Sequence, residues 1–419
     1  MKHETPLTDK TNSRFTASTR EQHSEEASSD ELPTANGSTS TNGVSAINQA
    51  RMLKTFQQLV STDSPSFGER QVCTLLQELL ARLDLHPVED DAAAKIGGDT
   101  GNLYTFVEGS GPLRALPPLL FCAHMDTVEP SRGKRAVVHA DGRITSADDT
   151  VLGADDVSGL TAILEALACL KESGLPHRPL ELLFSAAEEP YCAGIAAFDF
   201  SRLKSKEAYV LDLTGPVGGA ALAAPTLLTF RAEFKGRAAH AGFAPEQGIH
   251  AIKAAGLAVS RIACGHVDPD TTVNIGTITG GKGDNIVPER CVLTGEVRSF
   301  SDARAVAVLE DIKKALADAA KAFHGEVTIT TARHITAYRT AENSPTVQRF
   351  LNACKAESLQ TSLQDTHGGS DNNHLALHGI EGIVLATAMN NCHSCEEYSD
   401  VQELAHISEL ILRLMTSTD

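Results

Sequence analysis

The 419-residue sequence lacks three features that would each have set its class. It has no apolar run near the ~18 residues a membrane span needs, so a spanning helix is not expected. Its first residues carry no apolar core of the secretory-leader type. It also lacks positive charge: 36 Lys and Arg stand against 54 Asp and Glu, a net charge of −18. Phosphates would be repelled, which argues against nucleic acid as a partner; the plainer meaning of that charge is solubility. Nine cysteines, an odd number in a long chain, fit a reducing, cytoplasmic compartment better than a disulfide framework. Cys392-x-x-Cys395 has redox-pair spacing but not the surrounding βαβ pattern.

What is present points to a large soluble protein of more than one domain. Residues 1–46 are rich in Ser, Thr, Glu and Asn and are expected to be a disordered tail. Helical stripes follow over Met52–Val60 and Val72–Leu83. Strand patterns then alternate with helical ones, which predicts a mixed, mostly parallel sheet flanked by helices, an α/β fold. Three of the predicted strands end in acidic or imidazole groups: Leu119–Ala123 runs into His124 and Asp126, Pro179–Ser185 into Glu188 and Glu189, and Ala208–Leu211 into Asp212. Sites gather at the carboxyl ends of such strands. In extended chain, residues i and i+2 face the same way, so His124 and Asp126 aim at one spot. Asp155 and Asp156 precede the helical run Leu160, Ile163, Leu164, Leu167, Leu170, where a carboxylate can cap exposed amides or sit beside a cation. One imidazole and several carboxylates so placed suit a divalent metal.

From about 224 to 335 the pattern changes to β-α-β-β-α-β, the ferredoxin-like order. The expected organisation is a catalytic domain of residues 47–222 and 336–419, with residues 223–335 inserted as a lid or dimerisation domain. After it come His367-Gly368-Gly369-Ser370-Asp371, which lacks the Lys and spacing of a phosphate loop, and the loop Asn390–Ser394 with His393.

Seven short motifs, AHMDT, GADDVSG, AAEEPYCAG, YVLD, AAHAG, HGGSDNN and CHSCEE, stand in this order over residues 50–415. Together with the inserted unit they resemble the zinc exopeptidases of the aminoacylase and peptidase T family, the peptidase T-like branch most closely. The resemblance implies two zinc ions, with cobalt or manganese also suited to the ligands. It implies His124, Asp155 and Asp212 as ligands of one ion and Asp155, Glu189 and His393 as ligands of the other, Asp155 bridging. Asp126 would orient His124, and Glu188 would be the general base. His240 would stabilise the developing oxyanion, often across a dimer; Asn285 and Arg298 would contact a substrate carboxylate; Gly369 and Ser370 would lie in the substrate loop.

Plainer readings stay open: a structural loop histidine for His240, a turn residue for Asn285, a surface pair with Glu296 or Asp302 for Arg298. Asp371 either shapes the site or fixes its turn. His367 and Pro190-Tyr191-Cys192 depart from the family's smaller residues and leave substrate identity open. The activity implied is cleavage of a terminal amide of a short peptide; the alternatives are deacylation of an N-acyl amino acid, or a silent binding homologue. A homodimer through the lid is expected.

Overall fold

The computed structural model describes residues 47–419; the expected tail, residues 1–46, lies outside them. The architecture rests on a nine-stranded mixed sheet. At its centre the strand Leu119–His124 lies parallel to Leu180–Ser185 on one side and to Glu207–Thr214 on the other, and Glu381–Met389 continues the parallel set. The outer strands, among them Val88–Glu89, Leu103–Val107 and Tyr338–Arg339, pair antiparallel. All six residues of Leu119–His124 and of Leu180–Ser185 are buried, as parallel strands covered on both faces must be. Alternate side chains feed two cores: Leu119, Phe121 and Ala123 join the cluster beneath helices Ala154–Ser173 and Val401–Met415, while Leu120 and Cys122 join one with Val210, Val384 and Leu375.

The helix Ala154–Ser173 is buried around its whole girth down to Leu170. Its sequence stripe marks only part of that girth; Gly159, Ala162 and Ala166 are buried too, and Gly159 packs against Leu211 of the sheet. The expected hairpin around Asp141-Gly142 is present as Ala136–Val138 and Arg143–Ser146, with Gly142 at φ +91.

Residues 226–335 form a separate antiparallel sheet in the order Gly265–Asp268, Thr271–Gly280, Arg290–Ser299, Thr226–Lys235, Glu326–Ile335. Helices Ala251–Arg261 and Asp302–Ala322 cover one face around Phe230, Phe234, Leu293 and Leu316. The four long strands have the ferredoxin-like order, and the short Gly265–Asp268 adds an edge that the sequence pattern does not disclose. Gly219–Ala224 is also a strand the pattern hides. Its residues GAALAA carry no β-branched signal, yet all six are buried between Glu381–Met389 and Tyr338–Arg339, and sheet context overrides propensity.

Candidate metal centre

His124 closes its strand with its side chain 1% exposed. Its Nδ1 lies 3.0 Å from the Asp126 carbonyl oxygen and 3.3 Å from Asp126 Oδ1. Its Nε2 lies 2.9 Å from Asp155 Oδ1. Asp126 does more than hold the ring. Its Oδ1 accepts from the Glu188 amide at 2.8 Å, and its Oδ2 accepts from the Glu189 amide at 3.2 Å and from the Ser66 hydroxyl at 2.7 Å. One buried carboxylate thus fixes the imidazole and the acidic doublet relative to each other.

Asp155 and Asp156 sit at the start of their helix with non-helical backbone angles and a cis peptide bond between them. Glu397 accepts from the Gly153 and Asp155 amides at 2.7 and 3.0 Å, so a carboxylate meets the open helix end. Asp156 turns the other way: it accepts from the His124 amide at 3.2 Å and from the Gly159 amide at 3.0 Å. A Cβ on Gly159 would stand 2.4 Å from Asp156 Oδ1 and 2.7 Å from the Leu211 Cβ, so only glycine lets this helix reach the strand Glu207–Thr214, which carries Asp212 near its end rather than at it.

The two imidazoles divide Asp155 between them. His393 Nε2 lies 3.3 Å from Asp155 Oδ2 and 3.0 Å from Glu189 Oε2. Asp212, His124 and Glu188 bring ligand atoms within 4.8 Å of one another, and so do His124, Asp155 and Glu189. Glu188 is 8% exposed, and its Oε1 receives the Cys192 thiol at 3.1 Å. The Ala187 amide donates to Glu69 at 2.9 Å. The loops are held in costly shapes: Ala187, Tyr191, Cys192, Asn391 and His393 all have positive φ, between 48 and 68°. For non-glycine residues each costs about 1–2 kcal/mol. The surrounding hydrogen bonds over-determine the site.

Charge explains what this arrangement lacks. Burial pushes Glu188 and Asp212 well above the ordinary carboxylate range, and neighbouring carboxylates add to it. Burial likewise raises Glu189, against the bond from His393. Asp155 is held low because bonds from both imidazoles outweigh its burial. Hydrogen bonds to Asp155 and Glu189 push His393 up to about 10. Among the described residues no lysine or arginine pairs with any of these acids; their only basic partners are the two histidines. Glu189 Oε1 is buried without a partner.

Cations fit here on three counts. The donors are imidazole nitrogens and carboxylate oxygens. A buried oxygen is left unspent. And donor atoms about 2.0–2.1 Å from a tetrahedral ion stand about 3.3 Å apart, close to the 2.9, 3.0 and 3.3 Å found.

A cavity of about 330 Å³ opens beside these groups, with Arg298, Gly369 and Ser370 in its wall. A Cβ on Gly369 would stand 2.2 Å from the Ile335 Cδ1, so a larger residue there would have to displace the tip of that side chain on the last strand of the inserted sheet. Ser370 is buried and its amide donates to Asn373 at 3.1 Å. Arg298 faces the cavity but is bound through Nε to Glu296 at 2.8 Å and through Nη1 to the His367 carbonyl at 2.9 Å. Asp371 is buried behind Glu188; its Oδ2 accepts from Ser185 and Cys122, its Oδ1 has no partner, and burial raises it to about 6.

His240 and Asn285 are not in the cavity wall. They are exposed neighbours in the inserted unit, where the Ala241 amide donates to the Asn285 carbonyl at 2.9 Å and Phe243, 86% exposed, stacks on His240. Sequence reasoning missed Ser66, Glu69 and Glu397, and did not distinguish the role of Asp156 from that of Asp155. Glu397 sits in a motif already singled out; Ser66 and Glu69 make their contacts 60 to 118 residues away, beyond any local pattern.

Comparison with known proteins bears on the family. Residues 222–324 match the family described as "Peptidase dimerisation domain", and residues 102–255 match "Peptidase family M28". The uncharacterized protein YqjE of Bacillus subtilis is 32% identical over 369 residues, covering 88% of this chain and 98% of that protein. The crystal structure of aminopeptidase PepT from Bacillus cereus superposes with a TM-score of 0.81 at 34% identity, covering 88% of this chain and 98% of that one. A tripeptidase from Staphylococcus aureus gives 0.85 at 29% identity, covering 89% and 99%. With its strand-end cluster, its inserted dimerisation-type domain and these full-length likenesses, the chain belongs to the peptidase T-like M20 peptidases, a family of metal-dependent hydrolases.

Proposed function

We propose that the protein is a di-zinc exopeptidase that hydrolyses a terminal amide bond of short peptides, of the aminopeptidase or tripeptidase type. The observation that carries this is Asp155, whose two oxygens face two different imidazoles at 2.9 and 3.3 Å, with Glu188 beside them. His124, Asp155 and Asp212 would hold one cation, and Asp155, Glu189 and His393 the other. Bound there, a cation pair supplies Lewis acidity at the scissile carbonyl and makes water a stronger acid.

The chain's own groups do the rest. Glu188 is not needed as a ligand, and burial has raised its proton affinity. Its carboxylate accepts the proton of the attacking water and returns it to the leaving amine. Asp126 holds the His124 ring by Nδ1, which leaves Nε2 free to ligate. The same Asp126 grips the Glu188 amide, so base and ligand keep their spacing. The loop at Gly369 and Ser370 shapes the substrate wall, and Arg298, released from Glu296, would pair with a substrate carboxylate.

The reading extends to a homodimer through the lid, residues 223–335. It is supported by the match to a dimerisation domain and by His240 and Asn285 lying exposed beside Phe243 rather than in the cavity. In a dimer they would reach the partner's site. A cytoplasmic setting is supported by nine unpaired cysteines; no described helix is long and apolar enough to cross a membrane.

The test is turnover of tripeptides against N-acyl amino acids with zinc, cobalt or manganese. Release of the terminal residue from tripeptides is expected; turnover of acyl amino acids alone would move the protein to the amidohydrolases, and no turnover of either would remove the enzyme reading.

A further inference from the structure

The cavity beside the candidate metal centre is lined in part by Tyr191, and a second cavity is lined by the same residue. The second, of about 470 Å³, lies on the open face of the lid sheet, against Thr229, Arg231, Asn274, Glu296 and His334. Tyr191 belongs to both walls. Its ring is stacked on His334, with centroids 3.9 Å apart and planes 24° from parallel. His334 is itself clamped, since its Nε2 lies 2.8 Å from the Thr229 hydroxyl. Burial lowers the basicity of that imidazole, and a neutral ring lies flat on a phenol without a charge to hydrate. Tyr191 stands two residues beyond Glu189 and is held at φ +68, a conformation its side chain disfavours. A position that glycine would fill without strain is occupied by a large ring, and that ring lines two spaces.

We propose that the Tyr191–His334 stack sets the length of peptide the site accepts, by walling the reacting pocket off from a lid-sheet groove able to take the distal residues of a longer chain. This rests on the peptidase reading above. The groove's chemistry names its occupant. Arg231 is matched by Glu233 at 3.2 Å, and Glu296 by Arg298 at 2.8 Å until a substrate carboxylate takes Arg298, so the groove holds no unmatched charge before substrate binds. Thr229, Thr294, Thr330, Thr331 and Asn274 offer hydroxyls and an amide, and Phe230 and Ala332 an apolar patch between them. Such a surface suits uncharged, polar peptide backbone rather than a charged terminus. With the stack in place a short peptide fills the metal-side pocket and a longer one meets the ring. With the ring gone the two spaces join.

The experiment compares kcat/KM for a tripeptide and for a hexapeptide beginning with the same three residues. The metal-loaded protein, Y191G, Y191F and H334A are each measured. Glycine accepts positive φ freely, so Y191G is expected to fold; thermal unfolding checks it. The parent should favour the tripeptide by about tenfold or more, and Y191G should raise the hexapeptide-to-tripeptide ratio by about tenfold. Y191F, which keeps the ring, should hold the parental ratio within about twofold, and H334A should raise it by about threefold. A parent that cleaves both peptides equally well overturns the inference. So does a folded, tripeptide-cleaving Y191G with the parental ratio, or a Y191F that shifts as far as Y191G. These failures leave the peptidase reading intact; a parent that cleaves neither peptide removes that reading and this inference with it.

Discussion

Acidic residues are treated in opposite ways in two parts of this molecule. On the lid, Glu233 meets Arg290 and Arg231, Asp268 meets Arg304, Asp302 meets Arg333, and Glu289 meets Lys282. Each partner is a permanent cation of the chain, and Glu233 is held at about 2 by the bonds from its arginines. At the strand ends, Glu188, Glu189 and Asp212 are buried among one another, share two imidazoles, and are pushed upward. The lid settles its charge internally. The strand-end cluster leaves its balance to ions from solution, and that is why one region reads as scaffold and the other as a reaction centre.

The sharpest way to break this comparison is Glu188→Gln. It removes the proton acceptor while leaving the proposed ligands in place, so kcat on a tripeptide should drop by about 10²–10⁴, with metal content unchanged by elemental analysis. Near-parental kcat would end its role as base. Next is Asp155→Ala, which should cost both ions, because Asp155 faces both imidazoles. Two metals per chain retained after gel filtration would contradict the bridge. Third, if cations complete the cluster, chelation should lower Tm. Metal at a hundred times its Kd stabilises by about 2.7 kcal/mol, and a scan with and without chelator reads it; no shift would mean that the cluster is stable on its own.

Gly159→Ala should cost about 1–3 kcal/mol of stability, since its methyl would meet Asp156 and Leu211 at 2.4 and 2.7 Å. Chemical denaturation checks that, and a neutral result would mean the helix can shift. The smallest effect belongs to the lid. Glu233 titrates at about 2 in the fold against about 4.3 unfolded. Its folded pKa is depressed, so whatever it contributes is fully present above pH ~4.3 and lost as pH falls toward ~2. Glu233 is partly exposed and its arginines are exposed, so Glu233→Gln should barely move Tm at pH 7 and not at all at pH 2; a large drop would show the surface pairs carry more than the comparison allows.

How much of this was written in the sequence depends on distance along the chain. His124 and Asp126 could be placed by the two-residue period of a strand, and the Asp155 cluster by the helical stripe behind it. The lid's order followed from the change of period. What could not be read was who meets whom across 60 residues or more. Ser66 and Glu69 lie in a Ser- and Pro-rich loop and the turn after it, with no local sign that they hold the Glu188 loop from behind. Arg298 shows the limit from the other side: its motif suggests substrate, while its geometry supplies a ready intramolecular partner in Glu296. Gly219–Ala224 became a strand only because its neighbours required one.

Where the inserted unit joins the main sheet has a consequence for the sheet itself. The chain leaves from Ala224 and returns at Tyr338, and these two residues are register partners on adjacent antiparallel strands. Exit and re-entry therefore lie within about 4.5–5.5 Å of each other, close enough for a short turn to have bridged them. Such a doorway lets the chain leave for the insert and come back without breaking a rung of the sheet that carries the candidate site.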